Sequence, residues 1–158
     1  MIVRAARQDD AGPVCEIMNR VITQTTITFT TVEKTPAQVA ADIAGAMPFL
    51  VCAQDGTVCG YARLFPFRGG PGYAHVAEYA IALTPAAQGR GAGRMLFAAL
   101  CIAARDCGIA QIIGGVSSAN VAALGFHRHM GFAQVGCVPG AGRKWGQELD
   151  LILMQKRL

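Results

Sequence analysis

The sequence Gln-Gly-Arg-Gly-Ala-Gly at residues 88–93 decides the fold. It follows residues 79–83, an apolar segment of strand length, and precedes residues 94–107, whose apolar side chains repeat at helical spacing. A strand therefore leads through a glycine-rich turn into a helix. Glycine lets backbone N–H groups turn toward one point, and the N-terminus of a helix adds partial positive charge. The stretch predicts an anion site that is best suited to phosphate.

Two common phosphate-binding loops do not match this stretch. The dinucleotide fingerprint Gly-x-Gly-x-x-Gly would need glycine where Arg94 stands, and the nucleotide-triphosphate loop needs a Gly-Lys-Ser/Thr that is absent. The pattern that fits is Gln/Arg-x-x-Gly-x-Gly/Ala, carried by Gln88, Gly91 and Gly93. For the loop taken alone, an ordinary glycine-rich connection between strand and helix is the alternative.

The composition predicts one domain over residues 1–158, large enough to bury its own core. Hydrophobic residues make up 53% of the chain and charged residues 15%, and part of this apolar excess is expected to cover a homodimer interface. The net charge of +4 comes without a basic run, which suits a polyanionic cofactor and argues against nucleic acid as a partner. No apolar run reaches membrane-spanning length, and the first residues show no signal-peptide core.

The six cysteines and three histidines show no metal-ligand spacing, and no Cys-x-x-Cys occurs. Cys52, Cys59 and Cys101 lie in apolar segments. We therefore expect buried free thiols in a reducing compartment, a cytoplasmic protein and no bound metal. A catalytic thiol is the less favoured alternative.

Local patterns predict the element order β-α-α-β-β-β-α-β-α-β-β, a mixed sheet with helices on both faces. Asp55-Gly56 between two apolar runs predicts a hairpin. Thr35-Pro36 with Gln38 predicts a helix start with a capping box, and Asp9 or Asp10 is expected to cap the first helix. The predicted strands cover residues 2–5, 49–54, 58–67, 73–83, 111–116, 133–138 and 148–155, and the predicted helices run from 9 or 10 to 21, from 35 to 46, from 94 to 107 and from 121 to 130.

This order of elements, with the glycine-rich turn after the third strand of the central meander, resembles the fold of the general N-acetyltransferase (GNAT) superfamily. Residues 120–132, an Asn-led helix that ends in Gly-Phe, resemble another motif of that superfamily. Within it, Arg68 with residues 73–78, and residues 142–146 with Leu149-Asp150-Leu151, resemble the phosphinothricin and methionine sulfoximine N-acetyltransferases. The resemblance covers essentially the whole chain. It implies an α/β fold with a mixed, mostly antiparallel sheet of about seven strands.

The resemblance implies an enzyme that transfers acetyl from acetyl-CoA directly to the amine of a small molecule. It places contacts to acetyl-CoA at Ile81, Leu83, Gln88, Gly89, Arg90, Gly91, Ala92, Gly93, Arg94 and Asn120. The strand at residues 80–83 is expected to splay from the next strand and offer backbone groups to the pantetheine arm. A non-catalytic acyl-CoA-binding sensor module and a protein N-acetyltransferase are the alternatives.

Glu78 is the expected general base. It is the only acidic residue between Asp55 and Gln88, and a carboxyl group among apolar strand residues has its pKa raised toward a useful value. It also matches the glutamate in the family's Thr-Val-Glu segment. Glu78 is expected to act directly or through one ordered water, and a carboxylate on the solvated face of the strand is the alternative.

His127 follows Asn120 by seven residues. Many GNAT enzymes place a tyrosine there that protonates the departing thiolate, and the resembling family often has histidine. A histidine can perform this step near neutral pH. A histidine that is simply packed against apolar neighbours is an equally weighted alternative.

The resemblance leaves four residues as expected substrate contacts, namely Phe29, Arg68, Tyr73 and Lys144. Three positions depart from the family. One lies on the second helix, where an aromatic residue of the family falls near Ala40. Ala74 stands where the family has an arginine suited to a substrate carboxylate, and Glu148 stands where it has a tryptophan. We therefore expect an amine or amino-acid-like acceptor, with phosphinothricin-like anions accepted less well than by typical members.

Overall fold

Seven strands form one sheet that is covered by helices on both faces. The computed structural model describes all residues, 1–158. Along the chain the elements are β1 (Ile2–Ala5), α1 (Ala11–Gln24), α2 (Pro36–Ile43), β2 (Phe49–Gln54), β3 (Thr57–Pro66), β4 (Val76–Leu83), α3 (Ala92–Asp106), β5 (Gln111–Ser117), α4 (Val121–His129), β6 (Ala133–Lys144) and β7 (Gln147–Arg157).

The strand order across the sheet is β1-β2-β3-β4-β5-β7-β6. Only β4 and β5 pair in parallel, and α3 connects them; every other neighbouring pair is antiparallel. The predicted fold class is therefore confirmed.

Two predicted local signals are confirmed by backbone and side-chain geometry. Asp55 (φ 52°) and Gly56 (φ 81°) are both left-handed, as a two-residue hairpin between β2 and β3 requires. Thr35 Oγ1 accepts a bond from the N–H of Gln38 at 3.3 Å, and Gln38 Oε1 accepts one from the N–H of Thr35 at 2.9 Å. These reciprocal bonds form the capping box that starts α2.

One predicted side-chain cap and one predicted strand start are wrong. The carboxylate of Asp10 accepts bonds from the Arg4 guanidinium (2.7 and 2.9 Å) and from the N–H of Arg7 (2.7 Å), so it does not cap α1. A short 3-10 turn over Pro71–Tyr73 delays the start of β4 from residue 73 to Val76.

The last two strands extend beyond their predicted ends. Trp145 (φ 50°) and Gly146 (φ 76°) form a second two-residue turn, which joins β6 directly to β7. A register shift between Val138 and Gly142 accommodates the intervening residues, so β6 continues to Lys144 where the sequence predicted an end at Val138.

The core consists of two apolar clusters, one on each face of the sheet. The larger cluster lies under α3 and α4, and the smaller one lies under α1 and α2. Strand β4 contributes to both, because alternate side chains of a strand point to opposite faces. Ala77 and Tyr79 belong to the larger cluster, whereas Ala80 and Ala82 pack against the smaller one. This alternation directs Glu78 to the face of α1 and α2.

Candidate active site

A gap in the sheet lies between β4 and β5. Their parallel pairing comprises Val76 with Gln111, Ala77 with Ile112 and Glu78 with Ile113, and then ends. Beyond this point β4 pairs only with β3, and β5 pairs only with β7. The facing edges at residues 79–83 and 114–117 therefore offer backbone N–H and C=O groups to a ligand lying between the strands. Ile81 and Leu83, two expected cofactor contacts, lie on one of these edges.

The glycine-rich turn lies at the end of the same strand. Gly89 (φ 71°) and Gly91 (φ 84°) take left-handed conformations. Gly91 is the N-cap residue of α3, so no side chain caps this helix. The N–H groups of residues 89–91 have no backbone partner, and the first N–H groups of a helix have none within it. Arg90 and Arg94 are exposed beside them. The turn thus collects unpaired donors and positive charge, as an anion site requires.

The turn reaches the gap through a close contact at Gly93. A Cβ atom built on Gly93 would lie 3.2 Å from Cε2 of Phe126 and 3.6 Å from Cδ1 of Leu83. Gly93 therefore lets the start of α3 approach both α4 and the end of β4.

We expect Gly91→Val to abolish acetyl-CoA binding, because a β-branched residue is disfavoured at positive φ and the turn would lose its shape. A Cβ at Gly91 meets nothing within 4 Å, so the domain should still fold. Binding is measured by calorimetry.

Gly108→Val is the matched control, because Gly108 follows the other end of α3 with φ 78° and equally open space. It should carry similar backbone strain and keep the affinity. A folded Gly91→Val protein with unchanged affinity would contradict the phosphate assignment.

Glu78 is the last residue of β4 that pairs with β5, so its carboxylate lies where the gap opens. A Cβ atom built on Gly115 of β5 would lie 3.2 Å from Glu78 Oε1 and 3.2 Å from Cδ1 of Leu151. Phe65 is the cross-strand neighbour of Glu78 on β3. Burial raises the pKa of the Glu78 carboxyl, and no salt bridge involves it. These surroundings suit a general base.

His127 is buried, and both of its ring nitrogens have partners. Nδ1 lies 2.6 Å from the carbonyl oxygen of Ala123, which can only accept, so Nδ1 carries the proton. Nε2 therefore accepts a bond from the Tyr79 hydroxyl at 2.7 Å. Burial lowers the pKa of the ring, and Phe132 packs 4.9 Å away, centroid to centroid. These contacts are the ones that the packed alternative describes, and the role of His127 as an acid stays a prediction.

The sequence predicted no role for the side chain of Tyr79. Tyr79 is the first residue of β4 beyond the paired segment, so its bond to His127 ties α4 to β4 where β5 separates. A Cβ on Gly114 would lie 2.8 Å from His127 Nε2, which shows how closely β5 approaches the pair. The only signal in the sequence was the alternation that turns Tyr79 away from Glu78.

We expect His127 to make folding stability depend on pH in a defined direction. Its pKa is lower in the folded chain than in the unfolded chain, where it is about 6.5. Around and below this pH the unfolded chain therefore binds more protons than the folded chain. The stability that is present above pH 6.5 is lost as the pH falls. Urea unfolding at pH 7.5 and pH 5.5 should show a larger loss in the wild type than in His127→Gln.

His129→Gln is the control for this experiment, because His129 lies in the same helix but is exposed. Its pH dependence should match that of the wild type. Equal acid sensitivity in all three proteins would show that His127 is not a buried neutral group.

The buried side chain of Lys144 connects backbone segments of the fold and is not exposed to a substrate. Its side chain is buried, and Nζ donates to the carbonyl oxygens of Ile22 (2.6 Å) and Thr28 (3.0 Å). Burial lowers the pKa of its ammonium group. These bonds hold the last turn of α1 and the segment after it against β6. Phe29, from the same segment, packs over Gly142 so closely that a Cβ there would lie 2.5 Å from Cδ1 of the ring.

We expect Lys144→Met to lower the free energy of unfolding by about 1–3 kcal/mol, because two carbonyl groups lose their donor. Chemical denaturation measures this loss. The neighbouring substitution Arg143→Met is the control, because that side chain is 81% exposed and should matter much less. Unchanged stability together with a raised KM for the acceptor would restore Lys144 as a substrate contact.

The other expected site residues occupy exposed or capping positions. Arg68 and Tyr73 lie exposed in the β3–β4 connection, where the Arg68 guanidinium carbon is 5.4 Å and the Tyr73 ring centroid 6.2 Å from the ring centroid of Phe67. Asn120 caps α4 by accepting a bond from the N–H of Ala123 at 3.1 Å. Its contact to the cofactor stays a prediction.

Glu148 forms a salt bridge with Arg143 at 2.9 Å, and both side chains are exposed. Its charge is therefore balanced at the β6–β7 hairpin. This pairing weakens the expectation from the sequence that Glu148 repels anionic acceptors.

Comparisons with known proteins identify the family. A model of the acetyltransferase (GNAT) family matches residues 17–132. The chain belongs to the GNAT family. Relatives include the L-methionine sulfoximine/L-methionine sulfone acetyltransferase of Salmonella typhimurium, 32% identical with 100% of this chain and 95% of that protein covered. The phosphinothricin N-acetyltransferase of Alcaligenes faecalis is also 32% identical, with 99% and 82% covered.

A solved structure shows the same fold with its ligand. The structure of yncA from Salmonella typhimurium with its cofactor acetyl-CoA matches with a TM-score of 0.96 at 31% identity, covering 100% of this chain and 94% of that one. The predicted family is confirmed, and the chain is an acetyl-CoA-dependent N-acetyltransferase of the GNAT type.

Two kinds of feature are absent from the structure. None of the helices is both long enough and apolar enough to cross a membrane. No three His, Cys, Asp or Glu side chains form a group that could hold a metal ion.

Proposed function

We propose that this GNAT enzyme transfers the acetyl group of acetyl-CoA directly to the amine of a small amino-acid-like molecule, with Glu78 as the general base. One observation carries the proposal: the pairing of β4 with β5 ends at Glu78, which puts a half-buried carboxylate at the opening of the gap. Two relatives are named as acetyltransferases of methionine sulfoximine and of phosphinothricin. These names support an amino-acid-like acceptor.

Acetyl-CoA fits the gap and the turn as a substrate. The unpaired edge of β4 offers Ile81 and Leu83 to the pantetheine arm. Residues 89–94 offer free N–H groups to the pyrophosphate, and two arginines lie among them. Asn120 lies at the start of α4, on the same side of the sheet as α3. Bound there, acetyl-CoA supplies an activated thioester.

Glu78 removes the proton that makes the acceptor amine unreactive. An amine is protonated at neutral pH and cannot attack a thioester until that proton leaves. A carboxylate with a raised pKa is a stronger base than an exposed one. Glu78 acts directly or through one ordered water, from the α1–α2 face of the sheet.

Backbone and core groups complete the chemistry around the thioester. A backbone N–H of β4 near Tyr79 or Ile81 polarises the thioester carbonyl as negative charge develops on its oxygen. In this mechanism His127 acts by holding the Tyr79 hydroxyl, which donates to its Nε2, and burial lowers the pKa of the ring and raises that of the hydroxyl. Its part is to fix α4 and β4 at the gap.

We expect Glu78→Gln to lower turnover about 100-fold or more, the scale of losing a general base. The substitution keeps the shape of the side chain, so the affinity for acetyl-CoA should hardly change. Thiol release with phosphinothricin, methionine sulfoximine and a panel of uncharged amines measures turnover, and calorimetry measures affinity.

Glu16→Gln, an exposed change on α1, is the control and should retain turnover. Near-normal turnover of Glu78→Gln at neutral pH would refute the assignment of the base. A wild-type protein that binds acetyl-CoA but acetylates no amine would favour a non-catalytic sensor module.

A further inference from the structure

Arg63 is the only charged residue of β3. It pairs with Ala80 of β4, and Phe65 pairs with Glu78, so Arg63 and Glu78 are diagonal neighbours on one face of the sheet. Diagonal neighbours in an antiparallel pair are about 7–8 Å apart at the backbone. An arginine side chain is long enough to bring its guanidinium group toward the space beside the Glu78 carboxylate.

Neighbouring side chains hold the Arg63 guanidinium in place. Its central carbon lies 5.3 Å from the ring centroid of Phe65 and 5.8 Å from that of Phe49. Nη1 forms an ion pair with the carboxylate of Asp42 on α2. The group is thus oriented before any ligand arrives, which lowers the entropy lost on binding.

Part of the guanidinium remains free to bind. Arginine has five N–H donors, and the only side-chain bond of Arg63 is the one from Nη1 to Asp42. Nε and Nη2 have no protein partner, and neither is a buried unsatisfied atom. The side chain is 22% exposed. Nε with Nη2 forms the edge of a guanidinium that binds a carboxylate through two parallel bonds.

The other cations near the site fit this role less well. Lys144 is buried on two carbonyl groups, Arg143 is paired with Glu148, and Arg68 lies exposed in the β3–β4 connection. Strand β4 carries no cation. Arg4 lies on the same face but in the edge strand β1, and both of its Nη atoms donate to Asp10. Arg63 is therefore the partly buried arginine nearest in the sheet to the proposed base.

We propose that Arg63 binds the carboxylate of the acceptor and thereby places the acceptor's α-amine at Glu78. The inference rests on the proposed function and deepens it, because it assigns the acceptor to the class of α-amino acids with a free carboxylate. Asp42 is the positioning residue that orients Arg63. On this basis the absence of an arginine at Ala74 does not leave the pocket without a cation, and anionic amino acids are good acceptors.

The test compares two acceptors that differ only in the carboxylate. Steady-state kcat/KM is measured for L-methionine sulfoximine and for its carboxamide, with the wild type, Arg63→Met, Arg63→Lys and Asp42→Asn. Arg63→Met should lower kcat/KM for the amino acid about 10- to 150-fold, the loss expected for a charge-assisted hydrogen bond. The loss should lie in KM, and the carboxamide should change less than about threefold. Arg63→Lys should recover part of the loss, and Asp42→Asn should raise KM for the amino acid alone.

Two controls separate binding from folding. Arg105→Met, an exposed change on α3, should leave both acceptors unaffected. The KM for acetyl-CoA should stay constant in every variant, which shows that the site remains assembled.

The remaining outcomes distinguish this inference from the proposed function. If the wild type acetylates neither acceptor, the proposed function is wrong, and the role proposed for Arg63 is refuted as well. If the wild type acetylates the amino acid but Arg63→Met lowers both acceptors equally, the function stands and the carboxylate contact is refuted. A wild type that prefers the carboxamide also refutes it.

Discussion

The parallel ladder between β4 and β5 ends after Glu78 and Ile113, and the arrangement of the whole site depends on that early end. A sheet that continued to pair would satisfy its own backbone groups and leave no edge for a ligand. Because it stops, two strand edges face one another inside the domain. The glycine-rich turn lies where β4 runs into α3, so the proposed anion site lies at one end of the gap and the Glu78 carboxylate at the other.

Residues on both faces of the sheet maintain this separation. Gly114 and Gly115 of β5 have no side chains, and the space beside them is occupied by His127 and Tyr79 on one face and by Glu78 and Leu151 on the other. The bond from Tyr79 to His127 fixes α4 against β4. Glu78 and the pair of Tyr79 with His127 therefore lie on opposite faces of the sheet, because successive side chains of a strand alternate between its faces.

The sequence predicted the parts of this site that depend on local signals. The glycine spacing at residues 88–93, the Asp55-Gly56 turn, the Asn120 cap and an isolated carboxylate at Glu78 can each be recognised within a short window. Arg63 could not be recognised in this way, because the role proposed for it depends on rings and a carboxylate from three separate elements. Lys144 resembled a substrate contact until the fold brought the carbonyls of Ile22 and Thr28 to it.

The most direct test of the central claim is amide hydrogen exchange with and without acetyl-CoA, read by mass spectrometry over short peptides. If acetyl-CoA lies between the splayed strands, we expect slower exchange at residues 79–83, 88–94 and 114–117, because ligand groups occupy backbone donors that the sheet leaves free. Peptides from β1 and β2, whose ladder is complete, should exchange at the same rate in both states. Unchanged exchange at residues 79–83 and 114–117, with protection elsewhere on the domain, would contradict the assignment of the gap as the acetyl-CoA site.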